Sequence, residues 1–264
     1  MNIFLRELRA NLKSLIIWCV IVVLFVLVGF SKFTAYYNNP ELLAILDSMP
    51  QAALAAFNLS AFNLTTLTGF FGVMYTYFAL LLSVAAAMWG SDIISKEERD
   101  KTVEFSLTLP VTRSRLITAK TAAVVLNCAI LLLVTWGATV VGAQDFQPDG
   151  KFYGFLSLGM PAIFIMQLIF VAVGIFLGCT MKRHKRAGSL AVSVLLVTYI
   201  LSIIATLSKN LEFLKYFTPF KYFDPATLLH DARIAPLYLL LSAAIVVVAL
   251  AGAYLGYARR DLYI

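Results

Sequence analysis

Long runs without a charged residue alternate with short polar segments along this chain. A helix of about 20 apolar residues is long enough to cross the hydrocarbon core of a bilayer. Six such runs occur, at about 14–31, 69–91, 121–144, 155–181, 187–208 and 234–258. The pattern predicts a single domain over 1–264, an all-α integral membrane protein with six transmembrane helices.

The composition supports this fold class. Of the 264 residues, 61% are hydrophobic and 13% are charged, whereas about 25% of the residues of a soluble domain are charged. A soluble enzyme or binding domain is therefore excluded. The net charge of +7 has an explanation in membrane topology, given below, so we expect no nucleic-acid partner.

Residues 1–13 have the pattern of an amphipathic helix. Three basic residues, Arg6, Arg9 and Lys13, lie on one helical face, and the opposite face carries Phe4, Leu5, Leu8 and Leu12. This pattern predicts an interfacial helix that lies on the membrane before the first span. A secretory signal is the alternative, but there is no clear A-x-A cleavage site and five spans follow.

The basic residues predict the orientation of the chain. Fifteen of the 21 Lys and Arg residues lie in the N-terminus, the loop between spans two and three, the 182–186 loop and the C-terminal tail. Basic residues concentrate on the cytoplasmic side of membrane proteins. We therefore expect both termini in the cytoplasm.

The segment 92–120 is the main polar part of the chain. It carries 11 charged residues among its 29, and each would cost about 2.5–3.5 kcal/mol at the bilayer centre. The segment therefore lies in water or at the headgroups. Two interpretations remain open: a docking surface for a soluble partner, or a charged loop that only sets topology.

Local signals divide this segment into two helices. Ser95 and Glu98 fit a capping box, which predicts that a helix starts or restarts there. Apolar residues continue from Val103 to a stop at Pro110. Thr112 or Ser114 then caps a second helix, which we expect to carry Arg113, Arg115 and Lys120 into the headgroup region.

The segment 209–233 is rich in aromatic residues and contains Pro219 and Pro225. An aromatic belt at the level of the outer headgroups is one interpretation. The other is a short amphipathic or re-entrant element that caps the outer mouth of a cavity, in which protein or water must satisfy the backbone polar groups.

The sequence offers little catalytic chemistry. It has no G-x-x-x-x-G-K-[ST] motif, so we expect no ATP site in this chain. His184 and His230 stand apart from any metal-binding motif, and the three cysteines lie in apolar runs. The spans lack mid-depth carboxylates, which argues against an ion-coupled secondary transporter.

A few small and polar residues in the spans predict contacts between helices. Asn127 and Gln167 are more typical of ties between helices than of cargo binding. Two G-x-x-x-G patterns predict close helix contacts, at Gly174 with Gly178 and at Gly252 with Gly256.

Two motifs resemble those of a known family. The first consists of Glu97, Glu98, Thr102, Glu104, Leu107, Pro110, Val111, Thr112, Arg113 and Lys120. It resembles the E-rich T-x-E-x-L-L-x-x-P-V-[ST]-R pattern of ABC-2 type transporter permeases. The second, PFKYFDP at 219–225, is similar to the P-F-x-Y-F-D-P stretch before the last span in some of them. With six spans, the resemblance covers nearly the whole chain.

The resemblance implies a permease subunit of an ABC transporter. It would pair with a second permease subunit, identical or related, and with two copies of a cytoplasmic ATPase, which binds ATP and Mg. The chain itself would have no catalytic, metal or cofactor site. The loop between spans two and three would form a coupling helix that sits in a cleft of the ATPase beside the interfacial helix.

The residues expected at the ATPase interface include apolar and charged groups. The apolar anchors are Val103, Phe105, Leu107 and Leu109; the charged partners are Glu97, Glu98, Glu104 and Arg113; and Thr102 and Pro110 complete the set. On the opposite side, the resemblance singles out Phe220, Tyr222, Phe223, Asp224 and Pro225.

The sequence also suggests a class of substrate, a location in the cell and two alternative functions. A largely apolar conduit suits a hydrophobic or amphiphilic substrate, and the family suggests export across a bacterial plasma membrane, in contact with its lipids. One alternative is a non-transporting membrane partner or sensor that docks a soluble protein. Another is a membrane-embedded lipid-modifying enzyme.

Overall fold

The computed structural model of the chain describes residues 3–37, 39, 50, 54, 62–99, 112–181, 184–207 and 209–258. Within these ranges the fold is helical and contains no strand. The helices, labelled in chain order, are α1 Ile3–Tyr36, α2 Leu67–Arg99, α3 Arg113–Ala143, α4 Gly150–Thr180, α5 His184–Leu207, α6 Pro219–Tyr222, α7 Pro225–Asp231 and α8 Pro236–Ala258. Two 3₁₀ helices span Gln144–Phe146 and Lys209–Phe217.

Six of these helices, α1 to α5 and α8, are long and apolar enough to cross a membrane. The all-α fold class and the six spans predicted from hydropathy are therefore confirmed. The helices extend beyond most of the apolar runs. For example, α2 continues to Arg99 and α4 begins at Gly150, with Pro161 inside it.

Short polar side chains begin several of the long helices. The first amide groups of a helix have no partner within the helix, so an oxygen just before it stabilises the start. Asp149 accepts from the Phe152 amide at 2.8 Å before α4. Thr112 accepts from the Arg115 amide at 3.3 Å before α3, so Thr112, of the two predicted candidates Thr112 and Ser114, is the cap.

The capping box predicted at Ser95 does not form. Helix α2 passes through this position without a break, and the Ser95 hydroxyl donates to the Ser91 carbonyl at 2.6 Å. A serine inside a helix can bond to the carbonyl one turn earlier, so the same residue is compatible with a helix interior.

The separate N-terminal helix predicted over 1–13 is also absent as a distinct element. Helix α1 runs uninterrupted from Ile3 to Tyr36, and residues 3–28 contain neither Pro nor Gly to break it. The four residues of the expected apolar face are not buried in the bundle. Leu5 and Leu12 are about half exposed, at 51% and 50%, and Phe4 and Leu8 are partly buried. Glu7 is buried instead.

Helices α2 and α4 form the centre of the bundle. Of the most apolar 18 residues in each span, 72% are buried in α2 and 67% in α4, against 22% in α1, 17% in α5 and 11% in α8. The faces of the outer helices that remain open are apolar, as expected for contact with lipid.

Small residues let α2 and α4 approach backbone to backbone. A Cβ on Gly174 would lie 2.6 Å from the Ala87 carbonyl oxygen, and one on Gly178 would lie 2.8 Å from that of Ser91. In the other direction, a Cβ on Gly90 would lie 2.5 Å from the Val171 oxygen. The predicted close contact at the first G-x-x-x-G pattern is confirmed.

The second G-x-x-x-G pattern packs α8 against the other side of α4. A Cβ on Gly252 would meet the Phe176 ring at 2.8 Å, and one on Gly256 would meet the Thr180 methyl group at 2.8 Å. These contacts are with side chains rather than backbone, so α8 lies less close to α4 than α2 does.

We predict that Gly174→Ala lowers the free energy of unfolding by roughly 1–3 kcal/mol, because its new methyl group overlaps backbone atoms that cannot turn aside. Thermal unfolding in detergent measures the effect. The matched control is Gly154→Ala on the same helix, where nothing lies within 4 Å. There, alanine removes the cost of a helical glycine, about 1 kcal/mol, so the control should be neutral or stabilising. Equal effects at both positions would contradict the close contact.

Candidate functional site

The predicted site lies at one end of the bundle, which we call the basic end. Helices α1, α3 and α5 begin there, and α2, α4 and α8 end there. Residues 100–111, which carry much of the predicted coupling helix, connect α2 to α3 at this end but lie outside the described residues. The structure therefore shows the two ends of the predicted ATPase interface.

Three of the ten residues predicted at the ATPase interface belong to the described helices. Glu97 and Glu98 belong to the last turn of α2, and Arg113 is the first residue of α3. The other seven lie outside the described residues: Thr102, Val103, Glu104, Phe105, Leu107, Leu109 and Pro110.

Arg113 connects the start of α3 to the end of α8. Its Nη1 donates to the carbonyl oxygens of Tyr257 at 3.2 Å and Ala258 at 3.3 Å, and its guanidinium lies 5.9 Å from the Tyr257 ring centre. The last carbonyls of a helix lack partners within it, so a cation there is stabilising. One turn further along α3, the hydroxyls of Thr118 and Tyr254 are 2.7 Å apart.

Lys120, which the sequence predicted in the headgroup region, is buried among the helices, with 1% of its surface exposed. Its Nζ donates to the Ile93 carbonyl of α2 at 2.8 Å and lies 3.3 Å from Glu7 Oε1 of α1. Lys120 shares its face of α3 with buried Leu116 and Ala123, so the helix turns it inward. The ammonium is stabilised there because a carboxylate and a carbonyl replace water.

Glu7 was not among the predicted site residues. It is the only acidic residue in 1–13, and an acidic residue among basic ones on an amphipathic helix is a weak signal of an ion pair. Arg6 Nη2 lies 3.7 Å from the same carboxylate oxygen. Nearby, Trp89 Nε1 donates to Ser14 Oγ at 2.9 Å, which joins α1 to α2 directly.

At the opposite end, the PFKYFDP motif builds two short helices. Pro219 is at the start of α6 and Pro225 at the start of α7, where the missing amide hydrogen costs nothing. Asp224 caps α7 by accepting from the Thr227 amide at 3.4 Å, and it also pairs with Lys221 at 3.0 Å. Phe220, Tyr222 and Phe223 are buried.

This segment folds back along α5. Thr218 Oγ1 donates to the Thr198 carbonyl at 2.8 Å, and at about 1.5 Å per residue Thr198 lies about 14 Å before the end of α5. The Phe220 ring centre is 5.2 Å from that of Tyr199 and 5.8 Å from that of Phe170. The position favours the re-entrant interpretation over a belt at the surface.

A cavity of about 40 Å³ lies beneath this segment. Its walls include Tyr75 and Met166 on the span side and Phe220 and Asp224 on the segment side. The space suits one or two water molecules, and the Tyr75 hydroxyl has no hydrogen-bond partner among the described residues.

The two amides in the spans do not behave as predicted ties. Asn127 is 1% exposed and Gln167 is fully buried. Within the part of the chain that the structure describes, Asn127 Nδ2 and both amide atoms of Gln167 have no hydrogen-bond partner. They add polarity to the interior of the bundle without bonding one helix to another through these atoms.

The described residues also show no group of His, Cys, Asp or Glu that could hold a metal ion. Cys19, Cys128 and Cys179 are free thiols.

The family model described as "ABC-2 family transporter protein" matches residues 1–262. The chain belongs to this family. Comparison with curated proteins returned no match. Together with the six spans, the family identifies a multi-pass membrane protein that is a permease subunit of an ABC transporter, a transport component that is not itself catalytic.

Proposed function

We propose that this permease couples a separate cytoplasmic ATPase to the export of a hydrophobic or amphiphilic substrate. The observation that carries the proposal is the construction of the basic end. In a segment too highly charged to enter a bilayer, Lys120 bonds to Ile93 near the opposite end of the segment and pairs with Glu7 of α1, and Arg113 bonds to the end of α8. A loop that only sets topology needs no such attachments.

The proposed mechanism is a rigid-body switch. ATP closes a pair of ATPase subunits, and the segment 92–120, docked in a cleft of one of them, moves with it. Because α3 begins at Arg113 and α2 ends at Arg99, displacement of this segment acts directly on two spans. ATP and Mg belong to the ATPase, since this chain has no P-loop motif.

We further propose a complex of two ATPase copies and two permeases, the second permease being identical or related to this chain. The exposed apolar faces of α1, α5 and α8 would contact that second permease or membrane lipids.

The proposed orientation predicts one-sided labelling. In a background without Cys19, Cys128 and Cys179, we expect a membrane-impermeant thiol reagent to label Thr102→Cys only from the cytoplasmic side. The same reagent should label Phe213→Cys, which replaces an exposed side chain of the opposite end, only from outside. The inverted pattern would exclude coupling to a cytoplasmic ATPase.

Docking itself is tested by co-purification. The double variant Glu104→Lys with Leu107→Asp should insert normally and lose the ATPase, because it reverses one charge and adds another in the proposed contact. The matched control, Glu212→Lys with Phe213→Asp, makes the same changes at exposed positions of the opposite end and should retain the ATPase. Unchanged co-purification of the first variant would refute docking through this segment.

The cargo class is supported by a cavity of about 560 Å³ at the basic end, between α1, α2 and α5. Its walls are apolar and aromatic at Trp18, Met88 and Trp89, with the polar groups of Asp92 and Ser189 beside them. Apolar walls with a few convergent polar groups suit an amphiphile better than an inorganic ion.

We predict that amphiphiles such as dodecyltrimethylammonium raise the ATP turnover of the complex, and that Ser189→Trp abolishes this stimulation by filling the cavity. Ser193→Trp, on an exposed position of the same helix that does not line the cavity, should leave the stimulation intact. Stimulation by inorganic ions alone would contradict the proposed cargo class.

A further inference from the structure

We propose that Glu7 and Lys120 are positioning residues that hold α1, α2 and α3 together as one mechanical unit at the root of segment 92–120. The inference rests on the proposed function, since it specifies how movement of this segment reaches the spans. It assigns a role to two charges that lie outside the expected ATPase contact.

The first argument is burial. Lys120 is 1% exposed and Glu7 is 6% exposed, and a buried charge without a partner is costly enough that such groups are rarely retained. An apolar pair of similar size would satisfy the same space at no electrostatic cost, and replacing buried ion pairs in this way is often neutral or stabilising. The charges are therefore poorly explained by stability alone.

The second argument is placement. The bond from Lys120 Nζ to the Ile93 oxygen, 2.8 Å long, joins the last turns of α2 to the first turns of α3. The bond connects the two residues that flank 94–119, a range that contains most of segment 92–120. The contact therefore lies where a displacement of segment 92–120 would be transmitted to α2 and α3.

The third argument is that the same ammonium also holds α1. Glu7 Oε1 lies 3.3 Å from Lys120 Nζ, and the Trp89–Ser14 bond of 2.9 Å joins α1 to α2 about two turns further along α1. Three helices are thus connected pairwise by directional polar contacts. Charge-assisted hydrogen bonds are short and directional, so these contacts add a geometric constraint to the packing of the three helices.

The test measures the distance between spin labels on α1 and α3 in the purified full-length chain. Labels at Arg9 and Ser114 replace exposed residues on either side of the contact. We expect a narrow distance distribution in the parent chain and in Lys120→Arg, which keeps the cation. We expect loss of the narrow distribution in Lys120→Met and in Glu7→Gln.

The double variant Glu7→Met with Lys120→Met separates positioning from simple stability, because it removes both charges of the pair together. We expect it to retain the thermal stability of the parent and still to lose the narrow distribution. A narrow distribution in this variant would overturn the proposal. Lys13→Met, which removes an exposed charge of α1, is the matched control and should match the parent.

In the complex with the ATPase, the parent distance should be the same without nucleotide and after trapping with ATP and vanadate. A change in that distance would refute a single unit. If the parent chain bound no ATPase, the proposed function would fail, while the comparison in the isolated chain would still decide the role of the pair.

Discussion

The close contact between α2 and α4 is the constraint on which the rest of the bundle depends. Lipid is as apolar as the side chains, so helices in a membrane gain little from apolar burial alone and depend on close packing. Glycines at 90, 174 and 178 bring the two backbones together. With α2 and α4 fixed at the centre, α3, α5 and α8 pack around them, and α1 packs mainly on α3.

At the ends of the bundle, hydrogen bonds and ion pairs between helices supplement the close packing. At the basic end, Arg113 satisfies the last carbonyls of α8, and Lys120 is paired with Glu7 and Ile93. These contacts lie towards the two ends of segment 92–120, which carries 11 charged residues among its 29. The result is a polar end on an apolar bundle, which suits the proposed coupling to a soluble ATPase.

At the opposite end, segment 209–233 places backbone that does not cross the membrane beside the spans. Part of this backbone is folded into the short helices α6 and α7; Asp224 accepts from the Thr227 amide, and Thr218 donates to the Thr198 carbonyl of α5. The aromatic residues of the motif fill the space between this backbone and α4 and α5. Between Phe220 and Asp224 on the segment side and Tyr75 and Met166 on the span side, a cavity of about 40 Å³ remains.

The sequence by itself determined the six spans, the start of α3 at a cap at Thr112 or Ser114 and the glycine contact of α4, because hydropathy, capping and glycine spacing are local properties that neighbouring residues reveal. Only the tertiary structure decided that Lys120 is buried, that α1 runs from Ile3 to Tyr36 without a break and that Thr218 and Phe220 contact the middle of α5. Each of these depends on a partner far away in the chain. From the sequence alone, a lysine near the start of a helix is interpreted as a residue of the headgroup region. The packing of α1 against α3 places Glu7 beside Lys120 as its counter-ion.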